Sequence, residues 1–355
     1  MLVEYIKPWV GYAREGLDIK DEDVEFHNVK EDVFAVYGVA NVKENFHRVP
    51  MDIANGISAG VADKARASAG GRVRFATNSD LVGIRVKFQK ILQAGPHITR
   101  LTATGFDIYC DNKYGETKFL DVFYPALDGF EGYEGVKRFS DNSFREFTIH
   151  LPLTNEIYEL EIVVRKGSEI RKPRPYRHEK PVLFYGSSIT HGLCASRPGN
   201  CFTNIIARKL DVDCICLGFS GQAKGEPNMA KYIATLDLGA FVLDYDANAP
   251  TVEHLRNTHE PFYKIIREAN PNLPIVFVSR PCHSLSEELL ARKDVIMQTY
   301  LNARNAGDKN VYFVDGFNHF SGKNRDDCTS DGTHPNDVGF FGMADNIGAT
   351  LEQIL

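Results

Sequence analysis

The sequence predicts an α/β protein of two domains: a β-sandwich of jelly-roll type over residues 1–170 and a flavodoxin-like α/β/α three-layer domain over 181–355, joined by a linker at 171–180. Three observations carry this reading. At 355 residues the chain is too long for one typical domain. Its first half repeats apolar residues with a period of two, whereas its second half alternates short apolar runs with helical stretches. Between the halves lies Arg171-Lys-Pro-Arg-Pro-Tyr-Arg-His-Glu-Lys180, a basic, proline-broken segment that suits a solvated linker better than an anion site.

In the first half, Ile84-Arg-Val86-Lys-Phe88 and Phe147-Thr-Ile149-His-Leu151 alternate apolar and polar residues, the pattern of strands with one buried and one wet face. Similar segments at 24–29, 33–39, 73–77, 105–110, 118–123 and 157–164 are separated by Gly, Asn and Asp. Many short strands without strong helical periodicity predict an antiparallel sandwich. The Ala/Gly-rich stretch 54–70 is ambiguous.

In the second half, strands are predicted at 182–185, 213–217, 240–244, 275–279 and 311–314, with helices near 200–210, 227–236, 252–269, 284–305 and 336–354. Strict alternation implies right-handed crossovers and a parallel sheet covered on both faces. There is no internal repeat and no glycine-rich phosphate loop.

Composition narrows the function. With 41 basic and 47 acidic residues the net charge is -6, so nothing points to a nucleic-acid or membrane surface. Seven cysteines, at 110, 194, 201, 214, 216, 282 and 328, include no C-x-x-C pair and read as reduced core thiols, not as a disulfide frame or a zinc site. The start Met1-Leu-Val-Glu-Tyr-Ile-Lys-Pro8 lacks the basic and unbroken apolar regions of a signal peptide, and the expectation is a soluble, cytoplasmic protein.

The chemistry centres on Pro181-Val-Leu-Phe-Tyr-Gly-Ser187-Ser188-Ile-Thr-His-Gly192, an apolar strand running into a tight turn that opens a helix. Its serines fit two roles, capping the helix or presenting a nucleophile at the carboxyl end of a parallel strand. A nucleophilic serine needs a base, a group that orients the base, and donors for an oxyanion. Asp331-Gly-Thr-His334-Pro-Asn336, after the last strand, offers a histidine three residues beyond an aspartate that can fix its tautomer; the same turn also suits simple helix capping. Leu217-Gly-Phe-Ser-Gly221-Gln222 follows the second strand, and Leu243-Asp-Tyr-Asp246-Ala-Asn248-Ala-Pro250 the third. Glycine backbone N–H groups and the Asn248 amide are suitable oxyanion donors. Asp246 is read as a loop-capping residue in preference to a partner for a substrate hydroxyl, and His191 as a structural residue close to the site.

Taken together, Gly-x-Ser-x-x-x-Gly, Gly-Phe-Ser-Gly, an Asn after the third strand and Asp-x-x-His-Pro resemble the SGNH (GDSL-type) hydrolase superfamily. The resemblance implies Ser188 as nucleophile, His334 as base and Asp331 as its acid partner. It also implies an oxyanion hole from the Ser188 and Gly221 N–H groups and Asn248. Ser187 stands where many members carry Asp, and the third block reads Asp-Ala-Asn-Ala in place of Gly-x-Asn-Asp. Gly105-Phe-Asp107-Ile-Tyr109 is similar to the Gly-x-Asp-Leu-Tyr signature of an N-terminal β-domain fused to this subgroup; Asp107 itself is read as a turn former. The two-domain plan also resembles carbohydrate acetylesterases.

The expectation is therefore a serine esterase acting on acyl esters, foremost acetyl esters of a carbohydrate, with no metal or organic cofactor. A lipase, thioesterase or acyltransferase would use the same residues. A catalytically inactive glycan-binding module is the rival of another class.

Overall fold

The computed structural model describes residues 3–4, 21–89, 91, 94–112, 115–125, 129–320 and 322–355. Residues 1–2 and 5–20, on which the reading of the chain start rests, lie outside them. Two compact units emerge. One holds the described residues up to Arg48 together with Arg66–Pro175 and Arg197–Gly199; the other holds Val49–Ala65, Tyr176–Ser196 and Asn200–Leu355.

The first unit is a β-sandwich. One antiparallel sheet runs Val3–Glu4, Gly132–Arg138, Leu81–Phe88, Ile157–Arg165, Val24–Asn28 in spatial order. The other runs Ile170–Arg171, Arg72–Thr77, Arg145–His150, Phe106–Asp111, Thr117–Phe123, with Ala35–Tyr37 also paired to Arg72–Thr77. Alternate residues of the two sheets, such as Ile84 and Val86 from one and Phe75 and Ile149 from the other, share a single core. The strand Gly132–Arg138 escapes the sequence pattern because its buried positions include ions: Glu134 pairs with Arg85 at 2.5 Å and Lys137 with Asp121 at 2.8 Å. The basic linker is shorter than expected. Arg171 ends a strand, His178 opens one, and Arg174 is bonded to Asp111 and Glu146.

Asp107 is no turn former. It lies within the strand Phe106–Asp111, fully buried, and accepts from His150 Nδ1 at 2.8 Å, Arg197 Nη1 at 2.7 Å and the Gly199 N–H at 2.7 Å. Burial pushes its carboxyl up, but His150 and Arg197 outweigh this and hold it below the usual range. Arg197 also bonds the Tyr109 hydroxyl and lies 4.0 Å over the Phe119 ring. The Asp and Tyr of the signature thus fasten three residues from far downstream, 197–199, to this sandwich.

The elements of the second unit are numbered from its own first. Five strands, β1 (His178–Gly186), β2 (Val212–Gly218), β3 (Ala240–Asp244), β4 (Ile275–Val278) and β5 (Val311–Val314), form a parallel sheet in the order β2-β1-β3-β4-β5. This is the flavodoxin-like order, whose topological switch point lies beside β1. The run Val182–Gly186 is buried throughout, as a central strand covered on both faces requires. Helices α3 (Ser188–His191), α4 (Phe202–Leu210), α5 (Pro227–Ala234), α6 (Val252–Ala269), α7 (Glu287–Asn305) and α8 (Asp337–Ile354) follow the strands. They match the predicted helical stretches apart from the four-residue α3. Before them come α1 (Met51–Ile57) and α2 (Ala59–Ala65), which take in most of the ambiguous stretch 54–70. The sequence reading put these residues in the first domain by position along the chain. They belong to the second unit because Ala54, Val61, Ala62 and Ala65 are buried in one cluster with Phe219 and Met229. Among the described residues no helix is long and apolar enough to cross a membrane.

Candidate active site

β1 ends at Gly186, which is in register with Gly218 of β2 and Asp244 of β3. The turn that follows must fold back over these strand ends, and two glycines permit it. A Cβ on Gly218 would lie 2.1 Å from the His191 nitrogen, and one on Gly186 2.0 Å from Thr190 Oγ1. Gly218→Ala should therefore destabilise the protein by about 3 kcal/mol or more, read as a lower midpoint in denaturant unfolding.

Within the turn the two serines stand in different settings. Ser187 is the N-cap of α3, buried, its hydroxyl accepting from the Ile189 N–H at 3.1 Å. Ser188 is the first helical residue, and its Oγ stands 2.9 Å from His334 Nε2. His334 Nδ1 is 2.7 Å from Asp331 Oδ2. A carboxylate only accepts, so Nδ1 carries the proton and Nε2 is left to accept from the Ser188 hydroxyl.

The Asp331 carboxylate is set by its own turn. Its Oδ1 accepts from the Thr333 and His334 N–H groups at 3.0 and 2.8 Å. Burial pushes this carboxyl up, but the His334 and Thr333 hydrogen bonds prevail and hold it at about 2. Helix capping in this segment falls to Asn336, which accepts from Val338 and Gly339 at the start of α8. In Asp331–Asn336 the aspartate therefore bonds the histidine while the helix cap is a different residue. One residue further on, Asp337 accepts from the Ser196 N–H and hydroxyl and from Asn200 Nδ2, tying the chain after α3 to α8.

Of the other two candidates, Asn248 is tied by a backbone carbonyl to the loop that carries Gly221. Gly221 sits at φ +72°, a conformation that favours glycine, in the loop after β2. Asn248 ends a short 3-10 turn, Asp246–Asn248, after β3, and its Nδ2 donates to the Phe219 carbonyl at 3.2 Å. An amide nitrogen has two hydrogens, and this bond uses one of them. Gln222 beside Gly221 is backed by α2, since a Cβ on Gly60 would fall 2.0 Å from its Oε1. Asp246 is 1% exposed and its Oδ2 accepts from the Arg280 N–H at 3.2 Å, the loop-capping role expected of it.

Sequence reading missed two residues here, Thr190 and Asp244. Thr190 of α3 donates to Asp244 Oδ2 at 2.9 Å and latches the serine turn to β3. Burial, reinforced by the charge of Asp246, pushes the Asp244 carboxyl well above the usual range. Cys194, buried and at φ 73° just past α3, has its thiol pushed up to about 11 by burial and by Asp331, which leaves it protonated and inert. Tyr185 and Phe219, aromatic and next to the site in sequence, are fully buried core residues.

The comparisons agree with this architecture. Residues 179–352 match the model of the GDSL-like lipase/acylhydrolase family, and residues 24–170 match the GxDLY model, described as the N-terminus of Esterase_SGNH_hydro-type. No curated protein matches the sequence. A protein from Bacteroides ovatus ATCC 8483 described as a GDSL-like lipase shares 27% identity over 94% of this chain and 98% of its own, with a TM-score of 0.84. The salicylyl-acyltransferase SsfX3 from a tetracycline biosynthetic pathway shares the fold at 18% identity over 93% and 96% of the chains, TM-score 0.76. A family two carbohydrate esterase from Cellvibrio japonicus shares it at 13% identity over 93% and 98%, TM-score 0.60. The strand order, the two matching models and the blocks at the strand ends lead to one conclusion: the chain belongs to the GDSL-like lipase/acylhydrolase family of SGNH hydrolases and carries the GxDLY-type N-terminal domain.

Proposed function

We propose that this protein is a serine esterase that removes short acyl groups, acetyl foremost, from a carbohydrate. The observation that carries the chemistry is the unbroken hydrogen-bonded chain Ser188–His334–Asp331, at 2.9 and 2.7 Å. Ser188 Oγ attacks the ester carbonyl carbon while His334 Nε2 takes its proton. The carbonyl oxygen becomes an oxyanion, held by the Ser188 and Gly221 N–H groups and by the second hydrogen of Asn248 Nδ2. When the intermediate collapses, the ester C–O bond breaks and His334 gives its proton to the leaving alcohol. Water then attacks the acyl-serine by the same route, its proton passing to His334 and on to Ser188 Oγ, and the carboxylate departs. Asp331, ionised throughout, stabilises the imidazolium that forms twice per cycle.

The preference for small acyl groups and a sugar rests on the shared plan with two-domain carbohydrate esterases. Their fold likeness supports it without carrying their substrates over. The likeness to an acyltransferase names the competing outcome, in which an alcohol replaces water in the second half-reaction. The test is a rate comparison on p-nitrophenyl acetate and octanoate and on acetylated xylose and cellobiose, with free sugar present to trap transfer. We expect acetate to exceed octanoate by at least about tenfold in kcat/KM, because a pocket shaped for a short acyl group rejects added methylenes. We also expect free acetate as the main product. Equal rates on octanoate, or acyl transfer exceeding hydrolysis, would contradict the reading.

A further inference from the structure

The buried stripe of α7 comprises Arg292, Val295, Ile296, Thr299 and Ala303, at helical spacing, and its first member is an arginine where an apolar residue would normally stand. Arg292 is 6% exposed. Its Nη1 donates to the carbonyls of Asp246 at 2.8 Å and Ala249 at 3.0 Å. Its Nε and Nη2 donate to Glu288 Oε1 at 3.0 and 2.8 Å, so a carboxylate balances the buried charge. The two carbonyls bracket Asn248. One of them also closes the 3-10 turn, since the Ala249 N–H donates to the Asp246 carbonyl at 3.2 Å.

We propose that Arg292 is the positioning residue that sets Asn248, and through it the strength of oxyanion stabilisation; this rests on the reading of Asn248 as an oxyanion donor. The loop has other anchors, among them the Asn248 N–H, which donates to the Tyr245 carbonyl at 2.9 Å. The Tyr245 hydroxyl meets Thr258 Oγ1 at 2.7 Å, and Asp246 Oδ2 accepts from the Arg280 N–H, both on the entering side of the loop. The Asn248 amide itself is steadied by the Phe219 carbonyl. Arg292 alone among these side chains spans the loop, its Nη1 holding the Asp246 and Ala249 carbonyls on either side of Asn248. A flexible loop would let the amide wander, and a misplacement of about 1 Å at a reacting centre can cost on the order of 10²-fold in rate.

The experiment is a double-mutant cycle in the full chain with p-nitrophenyl acetate. Arg292→Met removes the donors and keeps the length; Arg292→Lys keeps the charge but cannot bridge two carbonyls and a carboxylate. Each is measured alone and combined with Asn248→Ala. Both single variants should lose about 10- to 100-fold in kcat with KM changed by less than about threefold. Added to Asn248→Ala, each should cost less than about threefold further, because the group it positions is gone. The same loss in both backgrounds would mean general damage and overturn the proposal, as would unchanged kcat in either folded single variant. Should Arg292→Met fail to fold, Arg292→Lys carries the cycle. If Asn248→Ala proved as active as wild type, the oxyanion reading of Asn248 would fall first and the proposal with it.

Discussion

Ser188→Ala should lower kcat for p-nitrophenyl acetate by on the order of 10⁶ while the protein stays folded. The size follows from the route. Without Oγ no acyl-enzyme forms, and whatever rate survives comes from ester bound near oxyanion donors and attacked directly by water. The fold should tolerate the change because Ser188 is half-buried and the cap of α3 is Ser187. Stability should change by less than about 1 kcal/mol, checked by urea unfolding. Wild type and variant hydrolysing at equal rates would remove Ser188 from the mechanism. A wild type inactive on every acyl ester would favour the binding-module alternative.

His334→Ala should cost about as much in kcat as the serine substitution, and Asp331→Asn less, on the order of 10⁴. The three groups act as a unit, so the losses will not add, and Ser188→Ala with His334→Ala should be no slower than either alone. The pH profile gives a separate check. Held at about 2, the Asp331 carboxyl is ionised at every practical assay pH, so it should add no proton of its own to the acid limb of kcat/KM. The sign for stability is equally definite. A carboxyl depressed on folding stabilises the folded state above its unfolded value near 3.8 and ceases to do so as the pH falls through about 2. An acid-limb proton in kcat/KM traced to Asp331, or an Asp331→Asn variant as active as wild type, would contradict the assigned order of the triad.

Much of this architecture was legible in the sequence because it rests on local rules. An apolar run between Pro181 and Gly186 has few ways to be anything but a buried strand, and Asp331 lies close enough along the chain to reach His334 within one turn. Asp107 shows where such rules end. A short polar residue between strand-like segments reads as a turn former, and only the fold brings Arg197 and Gly199 to it across some ninety positions. The same holds for the 49–65 segment, whose small residues gain their meaning from the surface they press against. Arg292, Thr190 and Asp244 were invisible for a related reason. Each is polar, each is buried, and each has a partner more than forty residues away that no periodicity announces.

The most direct test of the central claim is site mapping with an organophosphonate probe that reacts with activated serines. After labelling, digestion and mass analysis, the account predicts a single modified residue, Ser188, with the adduct lost in His334→Ala and in heat-denatured protein. A label on Ser187 instead, or an esterase that turns over substrate while Ser188 stays unlabelled, would contradict it.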